Sequence, residues 1–290
     1  MTRAHALTEI LSDIKLGHSV FALPFAVLGL LLGTGGRPPS PLLLVQMVSA
    51  MILARSAAMA FNRLVDRRFD ATNPRTRARA LPAGRVTPRA VLVFVLVCST
   101  AFIAVAGTIN ALCLTLSPAV LLVLFLYSLT KRVTQFAHLA VGLALALSPP
   151  AAYLAARGSV DADVVAVLWL GAAVLFWVAG FDVIYACQDI DHDRREGLQS
   201  LPARHGAHRA IWCARGLHVL MLACLVLTAS TAGLGPLSWL AIGLVAALLV
   251  WEHGLVSADD MRRVDAAFFT ANGLVSILFS VLVGTDLLWR

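Results

Sequence analysis

Charge is scarce in this chain: 13% of its 290 residues are Asp, Glu, Lys or Arg, against 59% hydrophobic, and the mean hydropathy is +0.84. That balance excludes a soluble globular domain and indicates an integral membrane protein. Cysteine pairing is also lacking, since Cys98, Cys113, Cys187, Cys213 and Cys224 show neither disulfide nor metal-ligand spacing. They are expected to be small apolar side chains. The absence of an EF-hand loop and of His/Cys ligand spacing argues against calcium and zinc sites. A cleavable leader pattern is missing too: the first apolar run ends at Thr34-Gly35-Gly36-Arg37-Pro38-Pro39 without a small-residue cleavage site. The first span is therefore expected to stay in the protein.

Long apolar runs are what the chain has in abundance. Crossing a bilayer takes about 20 helical residues, and nine runs meet that need, roughly 17–34, 41–61, 90–107, 110–128, 136–156, 163–183, 210–231, 236–252 and 267–288. The expected fold is a single all-α, polytopic membrane domain over 1–290. Basic residues set its direction, because cytoplasmic loops retain Lys and Arg. With the N-terminus inside, the inner segments hold Arg3 and Lys15, the cluster from Arg63 to Arg89, Lys131 and Arg132, Arg194, Arg195, Arg204 and Arg209, and Arg262 and Arg263. The outer segments hold only Arg37, Arg157 and Arg290. Topology accounts for the net charge of +7, and no nucleic-acid binding is inferred from it.

Two acidic stretches stand at the predicted cytoplasmic ends of apolar runs: Asn62-x-x-x-Asp66-x-x-x-Asp70, and Asp182-x-x-Tyr185-x-x-x-Asp189-x-x-x-Asp193. At about 3.6 residues per turn, each row lies on one face if its helix persists, whereas Asp191 falls nearly opposite Asp182 and belongs in solvent. Carboxylates repeated at this spacing repel one another, so a compensating cation is implied. Mg²⁺ suits them, since it takes one or two carboxylates, keeps waters and completes its shell with substrate phosphate oxygens. The competing reading is a solvated loop whose Asp residues offset nearby arginines. The loops following the two rows are alike, Arg79-Ala80-Leu81-Pro82-Ala83-Gly84 and Gln199-Ser200-Leu201-Pro202-Ala203-Arg204, at an offset of about 120 residues. A duplicated helix-loop-helix unit, with its acidic sites facing a shared centre, competes here with coincidence in low-complexity sequence.

Arg55 lies within a span, two turns deeper than Asn62 on the same face. A guanidinium at that depth marks a functional position, with anion binding favoured over a structural ion pair or snorkelling.

In these segments the chain resembles the UbiA superfamily of membrane aromatic prenyltransferases, which includes 4-hydroxybenzoate polyprenyltransferase. The resemblance is carried by Arg55 through Asn62-x-x-x-Asp66-x-x-x-Asp70, by Arg75-Thr76-Arg77-Ala78-Arg79-Ala80-Leu81-Pro82-Ala83-Gly84, by Tyr127-x-x-x-Lys131-Arg132, and by Asp182-x-x-Tyr185-x-x-x-Asp189-x-x-x-Asp193. It departs at Arg63, where many members have Asp, and at Gln199, where many have Lys. That ending, with Lys15-Leu16-Gly17-His18 and Pro24-Phe25, is similar to a branch associated with menaquinone made by the futalosine route.

The resemblance implies nine helices in a bundle around a central cavity, in the cell inner membrane, with a cytoplasm-facing site. It implies Mg²⁺ held by Asn62, Asp66, Asp70, Asp189 and Asp193 on a polyprenyl diphosphate. Arg75, Arg79, Lys131 and Arg132 are expected to neutralise the remaining charge. Asp182 and Tyr185 are expected at the aromatic acceptor, 4-hydroxybenzoate or a related hydroxynaphthoate, and Arg55 at its carboxylate. No obligate protein partner is inferred. The alternatives are an ion-coupled transporter, a CDP-alcohol transferase, whose Asp-Gly-x-x-Ala-Arg context is missing, and a related prenyltransferase of haem or chlorophyll synthesis.

Overall fold

The structure, a computed structural model, describes residues 3–14, 22–258 and 260–289. The segment 15–21, with Lys15 and His18, and the terminal Arg290 lie outside them. The described residues form helices and no strands, in the order α1 (Arg3–Ile14), α2 (Leu23–Gly33), α3 (Pro41–Thr72), α4 (Pro88–Ile109), α5 (Ala111–Thr130), α6 (Ala137–Ala146), α7 (Ser148–Arg157), α8 (Val164–Ala186), α9 (Ile190–Arg195), α10 (Leu201–Thr231), α11 (Pro236–Leu255) and α12 (Asn272–Leu288). A 3₁₀ turn, Cys187–Asp189, joins α8 to α9, and a π-helix, Ala266–Ala271, leads into α12.

Eight segments among the described residues are long and apolar enough to cross a membrane, where nine were expected. The difference lies at the first: 17–21 lie outside the described residues, and the described part of 17–34 holds the 11-residue α2. One expected span, 136–156, is interrupted. Pro149 and Pro150 follow the break between α6 and α7, where proline cannot sustain the preceding turn. Gly206, at φ +81°, sets the first residues of α10 apart from the rest, a conformation glycine adopts without strain. Outward faces are greasy, as Leu92, Val93, Leu96 and Val97 on α4 and Trp251 on α11 show, which suits contact with lipid tails.

The described residues belong to two compact units. The first comprises α1 and Val45–Leu129. Ile10 and Ile14 of α1 pack with Ala60 of α3, Leu81 and Val86 of the following loop, and Val91 and Val95 of α4. Farther along, Ala57, Cys98, Phe102 and Leu121 join α3, α4 and α5. Asp13 Oδ2 accepts from the Ala80 amide at 2.7 Å, and Glu9 pairs with Arg85 at 2.8 Å, so α1 ties down the loop after the first acidic row.

The second unit comprises Val20–Leu44 and Thr130–Arg290. Its core surrounds Trp177, with Phe25, Val174, Met221, Leu225, Val275 and Phe279 all buried. Glycines let its backbones meet: a Cβ on Gly29 would stand 2.1 Å from the Pro149 carbonyl oxygen, and one on Gly142 2.4 Å from that of Leu175. Close approach through small residues is how membrane helices gain packing energy where burial from water contributes little. Asp286 of α12 accepts from the Gly235 amide at 2.6 Å and from the Ser238 hydroxyl, capping the start of α11.

Candidate active site

In the first unit α3 stays helical through Thr72, so Asn62, Asp66 and Asp70 do share a face. Asn62 Nδ2 donates to Asp66 Oδ2 at 3.0 Å, while Arg63 Nη1 donates to Asn62 Oδ1 at 3.3 Å. Arg63, the departure from the common motif, thus engages the amide oxygen that Asn62 would offer a metal. Asp70 is buried, its Oδ1 held by Arg79 Nη1 at 2.7 Å and its backbone carbonyl by Thr76 Oγ1 at 3.0 Å. Asp70 Oδ2 is buried with no hydrogen-bond donor. The loop that returns Arg79 to the row turns on Asn73, whose side-chain oxygen accepts from the Arg75 amide at 2.9 Å. Arg75 itself is exposed. Arg55 sits half-buried on α3, with an Nε that is buried and has no partner.

The second unit departs from a continuous helical face. A 3₁₀ turn at Cys187–Asp189 interrupts the α-helix after Ala186, so Asp182 and Tyr185 belong to α8 and Asp193 to α9, with Asp189 at the turn between them. Asp193 is fully buried. Lys131 Nζ lies 2.8 Å from its Oδ1, an electrostatic contact outside hydrogen-bond angles, and Ser200 Oγ donates to Oδ2 at 2.6 Å. The Gln199 amide donates to the Lys131 carbonyl at 2.8 Å, fastening the loop to the turn at 131–133. Ser200 also caps α10, its Oγ accepting from the Ala203 amide at 3.3 Å. Asp191 is exposed, as its position predicts, and Arg132 is exposed as well.

Asp182 meets a residue that sequence reasoning passed over. His138 Nδ1 lies 2.6 Å from Asp182 Oδ2, with His138 buried and the Asp182 side chain 30% exposed. A single histidine in an apolar run carries no spacing signal. Ser200 did carry one, as a serine before Leu-Pro at a helix start. Tyr185 packs its ring on Phe268 of the π-helix, centroids 4.3 Å apart, and Phe268 also meets Phe181 edge-on at 5.2 Å. Asn272 fixes that π turn: its Nδ2 donates to the Ala267 carbonyl at 3.0 Å and to buried Glu252 at 2.9 Å, and its Oδ1 accepts from Trp177 Nε1 at 2.6 Å.

Each unit therefore presents a buried aspartate at the end of its acidic row, opposite a cation supplied by a neighbouring loop. Among the described residues no three His, Cys, Asp or Glu side chains converge into an all-protein metal cage. The donor set fits Mg²⁺ shared with phosphate oxygens: hard carboxylates in small number, and a buried Asp70 oxygen with capacity to spare.

The profile of the UbiA prenyltransferase family matches residues 22–274. A 4-hydroxybenzoate octaprenyltransferase from Aeromonas salmonicida (strain A449) is 34% identical over 258 residues, covering 87% of this chain and 86% of that protein. Another of the same name from Methylococcus capsulatus (strain ATCC 33009 / NCIMB 11132 / Bath) is 31% identical over 273 residues, covering 93% and 91%. Among solved structures, the apo UbiA homolog from Aeropyrum pernix K1 superposes with a TM-score of 0.84 at 32% identity, over 94% of this chain and 98% of that one. A UbiA homolog from Archaeoglobus fulgidus, bound to GPP and Mg²⁺, shares the fold at a TM-score of 0.74 and 18% identity, over 97% of this chain and 100% of that one. Profile, relatives and fold agree over most of the length, and the chain belongs to the UbiA prenyltransferase family.

Proposed function

We propose that this protein transfers a polyprenyl group from polyprenyl diphosphate to an aromatic acceptor, 4-hydroxybenzoate or a related hydroxynaphthoate, in quinone biosynthesis. The observation that carries the reading is the buried Asp70 at the end of a carboxylate row, with one oxygen paired to Arg79 and the other without a donor. The names of the relatives and the GPP and Mg²⁺ bound to the Archaeoglobus fulgidus homolog support the same class of donor and metal.

Asp66 and Asp70, with Asn62 assisting, would hold Mg²⁺ in the first unit, and Asp189 and Asp193 would do so in the second. Mg²⁺, when bound, supplies the charge that stabilises the departing diphosphate as the allylic C–O bond ionises. Arg75, Arg79, Lys131 and Arg132 neutralise the remaining oxygens. Arg55 binds the acceptor's carboxylate through a guanidinium whose Nε has no partner within the protein. Asp182 and Tyr185 orient the ring, and Asp182 takes the proton lost when aromaticity returns. The apolar helices exclude water from the cation and leave the tail in lipid. The N-terminus and these residues face the cytoplasm across the inner membrane, as the distribution of Lys and Arg favours.

The test is purified protein with Mg²⁺, a polyprenyl diphosphate and either acceptor, read by mass spectrometry. Prenylated product that disappears in Asp66→Ala and Asp189→Ala is the expected result. No product with any aromatic acceptor, or unchanged turnover in both variants, refutes it.

A further inference from the structure

Among the described residues, His138 is the buried histidine in contact with a residue placed at the acceptor, and the proposed reaction gives it no task. Its two ring nitrogens meet different partners. Nδ1 stands 2.6 Å from Asp182 Oδ2, and Nε2 is the partner of the Leu201 amide at 3.4 Å. A backbone amide can only donate, so Nε2 must carry the lone pair and the ring proton must sit on Nδ1. With that amide on Nε2, it is Nδ1–H that faces the carboxylate.

The setting is built from three helices. His138 lies in the first turn of α6, and one turn later Gly142 lets α6 approach the α8 backbone so closely that a Cβ there would stand 2.4 Å from the Leu175 carbonyl oxygen. That contact presses the buried imidazole toward α8, on which Asp182 lies two turns beyond Leu175. The Leu201 amide is one of the donors that the first turn of α10 leaves without a helical partner, and His138 satisfies it. The same turn carries the Ser200 cap that donates to Asp193.

We propose that His138 is a positioning residue for prenyl transfer, holding Asp182 Oδ2 through Nδ1–H so that Oδ1 faces the ring. The inference rests on the prenyl-transfer reading above. In the step it serves, the C–H bond at the newly alkylated ring carbon breaks and its electron pair restores the aromatic ring. The proton passes to Asp182 Oδ1 and is released to solvent once the product has left. His138 keeps its own proton throughout. Its contribution is orientation, which imposes a rate cost when lost even though no substrate contact is removed.

The experiment compares the full-length purified protein with His138→Ala and His138→Asn, the latter because an Asn amide can place an N–H where Nδ1–H stood. His138→Ala is expected to lower kcat by about tenfold to a hundredfold while the KM for the prenyl diphosphate stays within about twofold. His138→Asn is expected to restore most of the lost kcat. Nitrogen-15 spectra of histidine-labelled protein should show His138 as the Nδ1–H tautomer, with a resonance that moves in Asp182→Asn. An Ala variant with unchanged kcat, a loss shared equally with the diphosphate KM, or an Nε2–H tautomer overturns the proposal. If the unaltered protein forms no prenylated product, the parent reading fails, and the nitrogen spectra still decide whether His138 holds Asp182.

Discussion

Replacing Lys131 with Met removes the ammonium 2.8 Å from Asp193 Oδ1 and leaves a carboxylate whose side chain is 1% exposed with the Ser200 hydroxyl as its remaining side-chain donor. Breaking a buried ion pair by deleting one member costs about 3–5 kcal/mol, because the surviving charge stays desolvated. The Lys131 side chain is 36% exposed, so water reaches the vacated position and the lower end, about 3 kcal/mol, applies. Asp193→Asn retains an oxygen for Ser200 and frees Lys131 to turn toward water, for a cost of about 1 kcal/mol. The double variant should cost about 1 kcal/mol as well, since no buried charge is left alone, giving a coupling energy of about 3 kcal/mol. The assay is reversible unfolding in mixed micelles titrated with dodecyl sulfate and followed by tryptophan fluorescence. Costs that add to within about 0.5 kcal/mol refute the reasoning, because the two residues would then not form an energetic unit.

Gly29→Ala should destabilise the fold by about 3 kcal/mol or prevent its accumulation, since its Cβ would meet the Pro149 carbonyl oxygen at 2.1 Å. Gly243→Ala, with nothing within 4 Å, should leave the same unfolding curve unchanged or slightly raised. Arg55→Ala should raise the acceptor KM by about tenfold to a hundredfold, the worth of a charge-assisted hydrogen bond of about 1.5–3 kcal/mol, with the diphosphate KM unchanged. Equal rises in both would remove Arg55 from the acceptor. Inorganic pyrophosphate with Mg²⁺ should raise the melting temperature, by about 2.7 kcal/mol of stabilisation at a hundredfold excess over Kd. EDTA should abolish that shift, and a shift that survives EDTA contradicts the metal assignment.

The helices were legible because apolar runs of bilayer length leave little else for the backbone to do, and Asn62, Asp66 and Asp70 were legible because α3 continues past them. The second row was read as one helical face, yet the chain tightens into a 3₁₀ turn at Cys187–Asp189 with no Gly or Pro to announce it. The break inside 136–156, read as one span, had its signal in Pro149 and Pro150, and packing across Gly29 exploits it. Arg79 and Lys131 were assigned by resemblance to the substrate. The structure pairs them with Asp70 and Asp193, contacts that depend on how loops return rather than on spacing. His138 was hidden for a related reason, since its partners come from α8 and α10.

One feature of α10 reaches beyond these assignments. Its N-cap and first residue tie down two carboxylates, Asp193 through Ser200 Oγ and Asp182 through the Leu201 amide and His138. On the prenyl-transfer reading, the spacing between the leaving-group end and the proton-accepting end belongs to the chain, set by one helical turn and insensitive to the substrate. Selectivity should accordingly be lopsided. A longer donor tail can run on without disturbing that ruler, whereas a wider ring must find its room beyond Asp182, against residues that α10 does not hold.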